Sequence, residues 1–160
     1  MKNELSRGDE VYSLDVFLVL VEYEISRSIR YPTPLGIIQI EMTPTGLDEK
    51  SLRAASKTFT AALNSHLRSV DIPSGKGREY KILLPTTNEA GVKVVCERLL
   101  SVFRNKFNTP DGGSIAFSIN LGAVCHTGGE SLSREYLFDQ AEEALRQAKL
   151  KGTNTYTLLV

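Results

Sequence analysis

Lys76, Arg78, Glu79 and Tyr80 stand around two glycines in the stretch Ile72-Pro73-Ser74-Gly75-Lys76-Gly77-Arg78-Glu79-Tyr80. Glycines and a proline so placed predict a tight turn carrying cations at its tip. A guanidinium fork suits phosphate oxygens. An acid next to it, Glu79, is instead expected to pair with Arg78 or to be a solvated strand residue. Arg68 and Asp71 lie three apart at an expected helix end, a spacing that makes a local ion pair. Cys125 and His126 are neighbours on an expected strand, where adjacent side chains face opposite ways, so they cannot work as nucleophile and base. Cys96 falls on the apolar face of a helix and reads as a small core residue. His66 reads as a surface residue, and Arg7-Gly8-Asp9 as an adhesion tripeptide by chance only.

These groups need elements to hold them. Residues 13–29 have helical spacing, with Leu14, Phe17, Leu18, Val21, Ile25 and Ile29 on one stripe. Val16, Val19 and Leu20 add apolar surface away from it, which calls for a second partner beyond the sheet. Pro32 and Pro34 end this helix. Gly36 to Met42 suits a buried central strand. Thr45 with Asp48 resembles a capping box opening a helix through about Val70, with Leu52, Ala55, Phe59, Leu63 and Leu67 inward. Glu79 to Pro85 is the next strand. Asn88 caps a helix whose Val92, Val95, Cys96, Leu99, Leu100 and Phe103 recur at three and four. Asn108 to Gly113 is a loop, and Ser114 to Cys125 a long strand broken near Asn120 or Gly122. Ser131 or Ser133 caps a last helix ending at Gly152, before a closing strand from Thr153 to Val160.

Alternation of this kind predicts an α/β (α+β) fold, a mixed central β-sheet flanked by helices, with one neighbouring pair made antiparallel by the turn at 73–78. Residues 1–12 read as an N-terminal tail and 13–160 as one domain. The length of 160 residues supports a real core, and 41% apolar with 24% charged residues is globular composition. Nineteen basic and nineteen acidic residues cancel, so no long-range pull on nucleic acid is expected. Two cysteines make neither a disulfide scaffold nor a zinc site. The longest apolar run, Val16 to Val21, is far short of a membrane span, and the polar start lacks a signal-peptide layout, so a cytoplasmic setting is expected.

The element order and several short stretches resemble the GGDEF (diguanylate cyclase) family over roughly residues 15 to 160. Lys76-Gly77-Arg78-Glu79-Tyr80 stands in place of the five name-giving residues of its hairpin. Ser118-Ile119-Asn120 falls where the family has Ser-Ile-Gly. Ala141, Ala144, Leu145, Ala148, Lys149, Gly152 and Asn154 match its last helix and the turn after it. The resemblance implies condensation of two GTP molecules at metal ions held by hard oxygen ligands. It puts Glu41 at the family's strand-end metal position and the cation Arg78 at the other metal-binding letter. It also puts Pro44, which lacks an amide hydrogen, in the triphosphate-cradling segment Thr43-Pro44-Thr45. The guanine-reading Asn and Asp have no clear counterpart among Lys50 to Lys57, and Thr153 replaces a phosphate-facing Arg. Lys149 alone survives from the phosphate-binding set.

The resemblance therefore implies a catalytically inactive, regulatory or protein-interaction module, with no magnesium site and no catalytic residue. Glu41, Lys76, Gly77, Arg78, Glu79, Tyr80 and Lys149 are its vestigial active site. A protein partner or a homodimer through helix 13–29 is expected. The alternatives are a receptor binding cyclic di-GMP or GTP without turnover, and a residual cyclase. Lys76, Arg78 and Lys149 would converge on a phosphate. Arg68-Ser69-Val70-Asp71 matches the family's RxxD site for cyclic di-GMP, with four rather than five residues before the hairpin signature.

Overall fold

The computed structural model describes residues 7–45, 49–109 and 112–160, with residues 49–53 as backbone only. In chain order the elements are α1 (Leu14–Arg30), β1 (Leu35–Thr45), α2 (Glu49–Asn64), β2 (Ile72–Lys76), β3 (Glu79–Pro85), α3 (Glu89–Val102), β4 (Phe107–Asn108), β5 (Ser114–His126), α4 (Arg134–Lys151) and β6 (Thr155–Leu159). The sheet runs β2-β3-β1-β5, and β4 and β6 both pair with β5. All pairs are antiparallel except β5 with β6. The expected mixed sheet is thus mostly antiparallel.

Two-residue periodicity splits the strands between two cores. Ile38, Ile40, Met42, Tyr80, Ile82 and Leu84 face α2 and α3, where Phe59, Leu63, Val92, Val95, Cys96, Leu99 and Phe103 are buried. The other face receives α1 and α4, with Phe17, Val21, Ile25, Leu137 and Ala141 packed on Leu35, Ile37, Leu83 and Val124. The same alternation carries Gln39 and Glu41 of β1, and Glu79 and Lys81 of β3, to the α4 side.

Several elements differ from expectation. β1 continues through Thr43, Pro44 and Thr45, which pair with Ser118, Phe117 and Ala116. The turn signal at Ile72 to Gly77 conceals a further strand, β2, whose Pro73 is tolerated because β2 lies at the end of the strand order. α2 stops at Asn64, short of Val70, and gives way to turns over 65–70. β5 is unbroken: Gly122 is there because α4 crosses so closely that an added Cβ would lie 2.1 Å from the backbone nitrogen of Leu145. Leu14, expected inward, is 60% exposed at the start of α1. Ser133 rather than Ser131 caps α4, its hydroxyl accepting from the Tyr136 amide. Asn88 caps α3 as expected. The Asp48 half of the capping box and the Leu52 side chain lie outside the described residues.

The described part of the N-terminal segment is strapped to the domain. Asn64 Nδ2 donates to the carbonyls of Gly8 and Glu10, Thr60 Oγ1 donates to that of Asp9, and the Tyr12 amide donates to the Pro73 carbonyl. Asn154, in the left-handed region at φ 58°, fastens the last turn: its amide donates to Ile119 O and its Oδ1 accepts from Ile119 N. That exchange explains why the turn after α4 uses asparagine.

Candidate functional site

The β2–β3 hairpin closes through Gly77 and Arg78, with Lys76 paired to Glu79. Gly77 has φ 63° while Arg78 stays at negative φ, the pattern of a two-residue type II′ turn. Gly75, at φ 145°, has no room for a side chain against the Glu79 carbonyl and the Tyr80 ring. Two glycines thus build a tip that holds three different side chains apart. Tyr80 turns into the core, 1% exposed, with its ring 4.8 Å from Phe59 and its hydroxyl bonded to Ser56 Oγ and Gly77 O. Burial pushes its phenol up, partly countered by the Ser56 bond. Tyr80 therefore serves as an anchor under the turn.

Glu79 turns the other way, opposite Glu41 in the β1–β3 register. Two carboxylates facing each other repel unless a cation joins them. Lys149 from α4 answers one of the two: its ammonium lies 3.2 Å from Glu41. Arg78 does not make the expected ion pair with Glu79. Its guanidinium reaches across to β1, with Nε donating to Met42 O at 3.1 Å and Nη2 to Thr43 Oγ1 at 2.6 Å. The Arg78 carbonyl in turn accepts from the Met42 amide. Lys76 lines a separate groove with Tyr12, Leu14 and Phe17. Of the three cations expected to converge, Arg78 and Lys149 each hold a different partner on β1.

Between the sheet and α4 lies a cleft of about 670 Å³, lined by Gln39, Glu41, Glu79, Asp139, Glu142, Glu143, Arg146 and Lys149. Five carboxylates thus face two cations. Arg146 forks onto Glu143 at 2.6 and 2.9 Å, and this bond, with one from Gln147, holds the Glu143 carboxyl down to about 2. Both cations are consumed by acids within the cleft, leaving Glu79, Asp139 and Glu142 without an ion-pair partner among the described residues. No three His, Cys, Asp or Glu side chains gather in a way that could hold a metal ion among the described residues.

Arg68 and Asp71 meet as a clamp. Asp71 is 1% exposed and takes the Arg68 amide at 2.8 Å, Nε at 3.1 Å and Nη2 at 2.7 Å. Arg68 Nη2 also donates to Pro85 O and Thr87 Oγ1, tying the loop after α2 to the end of β3. Sequence spacing located this pair but could not reveal that Asp71 is buried. The thiols have no chemistry on display: burial, with Glu97 nearby, pushes Cys96 up to about 12, and burial also raises Cys125. His126 is occupied within its own loop, accepting from the Gly128 amide and bonded to Ser131. His66 is part-buried rather than free on the surface, with Nδ1 at 2.9 Å from Ala62 O. Sequence reasoning missed Thr43 as a partner for Arg78, and the acids Asp139, Glu142 and Glu143. The i, i+3, i+4 spacing of those acids on α4 was the available signal.

A two-faced sheet with a glycine hairpin beside its central strand, and a helix lysine reaching that strand, defines a nucleotide-cyclase type of α+β domain. The chain belongs to the GGDEF family: the family described as "Diguanylate cyclase, GGDEF domain" matches residues 56–155. It is similar to the response regulator PleD of Caulobacter vibrioides, 31% identical over 101 residues covering 61% of this chain and 22% of PleD. It is also similar to the diguanylate cyclase DgcS of Shewanella oneidensis, 29% identical over 102 residues covering 64% of this chain and 33% of DgcS. The chain thus spans about a fifth to a third of these relatives' lengths. In fold it matches the GGDEF domain of PA1120 from Pseudomonas aeruginosa with a TM-score of 0.75 at 17% identity, covering 95% of this chain and 92% of that one. No helix among the described residues is long and apolar enough to cross a membrane.

Proposed function

We propose that this chain is a GGDEF-fold module that does not turn over GTP and acts by binding protein partners. One observation carries the reading: both positions that the resemblance assigns to metal ligands are tied to fixed cations. Glu41 is engaged by Lys149 at 3.2 Å, and the other position is Arg78 itself, bonded to Met42 O and Thr43 Oγ1. A divalent ion needs several hard oxygens. Each fixed positive charge about 5 Å from it would add roughly 3 kcal/mol of repulsion per unit of ion charge at an effective dielectric near 20.

Two further features support this. The segment Thr43 to Thr45 is strand, paired with β5, and is not free to wrap a triphosphate with successive amides. The cleft under α4 carries five carboxylates against two cations, which opposes a polyanion. The residues present therefore do not fit the metal-bound triphosphate that family chemistry requires.

The alternative of a nucleotide receptor at Arg68 and Asp71 asks Asp71 to present an edge to a guanine, yet that carboxylate is buried and saturated. Incubation with GTP and Mg²⁺ or Mn²⁺ is expected to leave the GTP intact. Formation of a cyclic dinucleotide that vanishes in Glu41→Ala would overturn the proposal.

A further inference from the structure

α1 has two apolar faces. Phe17, Val21 and Ile25 are buried against the sheet. On the opposite side Val16, Val19 and Tyr23 recur at i, i+3 and i+7, and they remain 46%, 68% and 63% exposed. At 100° per residue the outward stripe continues through Arg27, whose guanidinium is held by Glu24 and Thr86 of its own chain, and Arg30. Asp15 flanks its N-terminal end, and both Asp15 and Arg30 are exposed. The stripe is therefore apolar and acid-flanked at one end and basic at the other.

We infer that this stripe pairs with the same stripe of a second copy of the chain, with the two α1 helices antiparallel about a two-fold axis at Tyr23. The charge arrangement selects this partner. Reversing the helix about Tyr23 places Tyr23 on its own copy, Val19 across from Arg27, and Val16 across from Arg30. The Arg30 stem then covers Val16 while its head reaches Asp15 of the other copy, twice by symmetry. Opposed helix dipoles favour the same direction. Parallel pairing would set Asp15 on Asp15 and Arg30 on Arg30. The inference deepens the protein-binding reading and rests on it.

One 17-residue helix is about 25 Å long, so its face buries less than the ~800 Å² per partner of a tight complex. Association should be reversible, with a Kd on the order of 100 μM.

Sedimentation equilibrium of the full chain from about 10 μM to 1 mM tests this, spanning that constant on both sides. A monomer–dimer equilibrium is expected, weakened about tenfold or more by Val19→Glu, as for a central anchor of an interface. Asp15→Arg and Arg30→Glu should each weaken it several-fold, and the double variant should recover it, because the swapped pair still meets its complement. All three positions are exposed, so circular dichroism should report an unchanged fold. A monomer throughout the range, a dimer indifferent to Val19→Glu, or a double variant no better than the singles would each overturn the pairing. None of these outcomes bears on GTP turnover, so this inference can fail while the catalytic reading stands.

Discussion

Gly122→Ala is expected to destabilise the protein by about 3 kcal/mol or more, lowering Tm by roughly 6–12 °C in a thermal melt. The new methyl would lie 2.1 Å from Leu145 N, 2.5 Å from Ala141 O and 2.5 Å from Leu145 Cα. These are backbone atoms of α4, so no side chain can swing aside and the whole helix must lift from β5. Ala141, Ala144 and Ala148, all fully buried, show that α4 is built for this close approach. Lifting α4 would also draw Lys149 away from Glu41, so the packing fault would reach the cleft. A change below about 0.5 kcal/mol, the range of an ordinary surface substitution, would mean that α4 does not sit where described.

Asp71→Ala is expected to cost about 2–3 kcal/mol in denaturant unfolding. The carboxylate is buried and accepts from the Arg68 amide, Nε and Nη2. Its removal strands a backbone donor and releases the arginine that also holds Pro85 O and Thr87 Oγ1. The cost falls below that of a fully buried pair because the Arg68 side chain is 48% exposed and water can solvate it. Calorimetry of the unmodified chain with cyclic di-GMP should register no heat. Binding that Arg68→Ala abolishes would instead make the clamp a ligand site.

The fold was legible where one physical signal dominated. In α3 and its C-terminal cap the apolar residues Val92, Val95, Cys96, Leu99, Leu100 and Phe103 recur at helical spacing, and all six are buried. The last helix and its asparagine turn were readable because glycine and asparagine serve the backbone angles found there, φ 120° at Gly152 and 58° at Asn154. β2 was hidden because Pro73 and Gly75 read as turn residues when nothing shows a sheet edge to accommodate them. The end of β1 was misjudged for the same reason: Thr43-Pro44-Thr45 looks like a break until β5 is seen beside it.

The site was less legible than the fold. Sequence named Glu41, Arg78 and Lys149, but it could not tell whether the cations converge. That depends on which way long side chains turn at the hairpin tip. Arg78 crosses to Thr43 and Lys149 crosses to Glu41, so two cations thought to share a ligand each have a partner already. The burial of Asp71 likewise follows from tertiary packing and from no local pattern.

The most direct test is electron paramagnetic resonance of Mn²⁺ titrated with the protein alone, read as loss of the free-ion signal. The signal is expected to stay at its full free-ion intensity with protein in excess, because the Glu41 carboxylate on β1 is already paired with Lys149. A stoichiometric loss of signal at micromolar Mn²⁺, reversed by Glu41→Ala or Glu79→Gln, would contradict it.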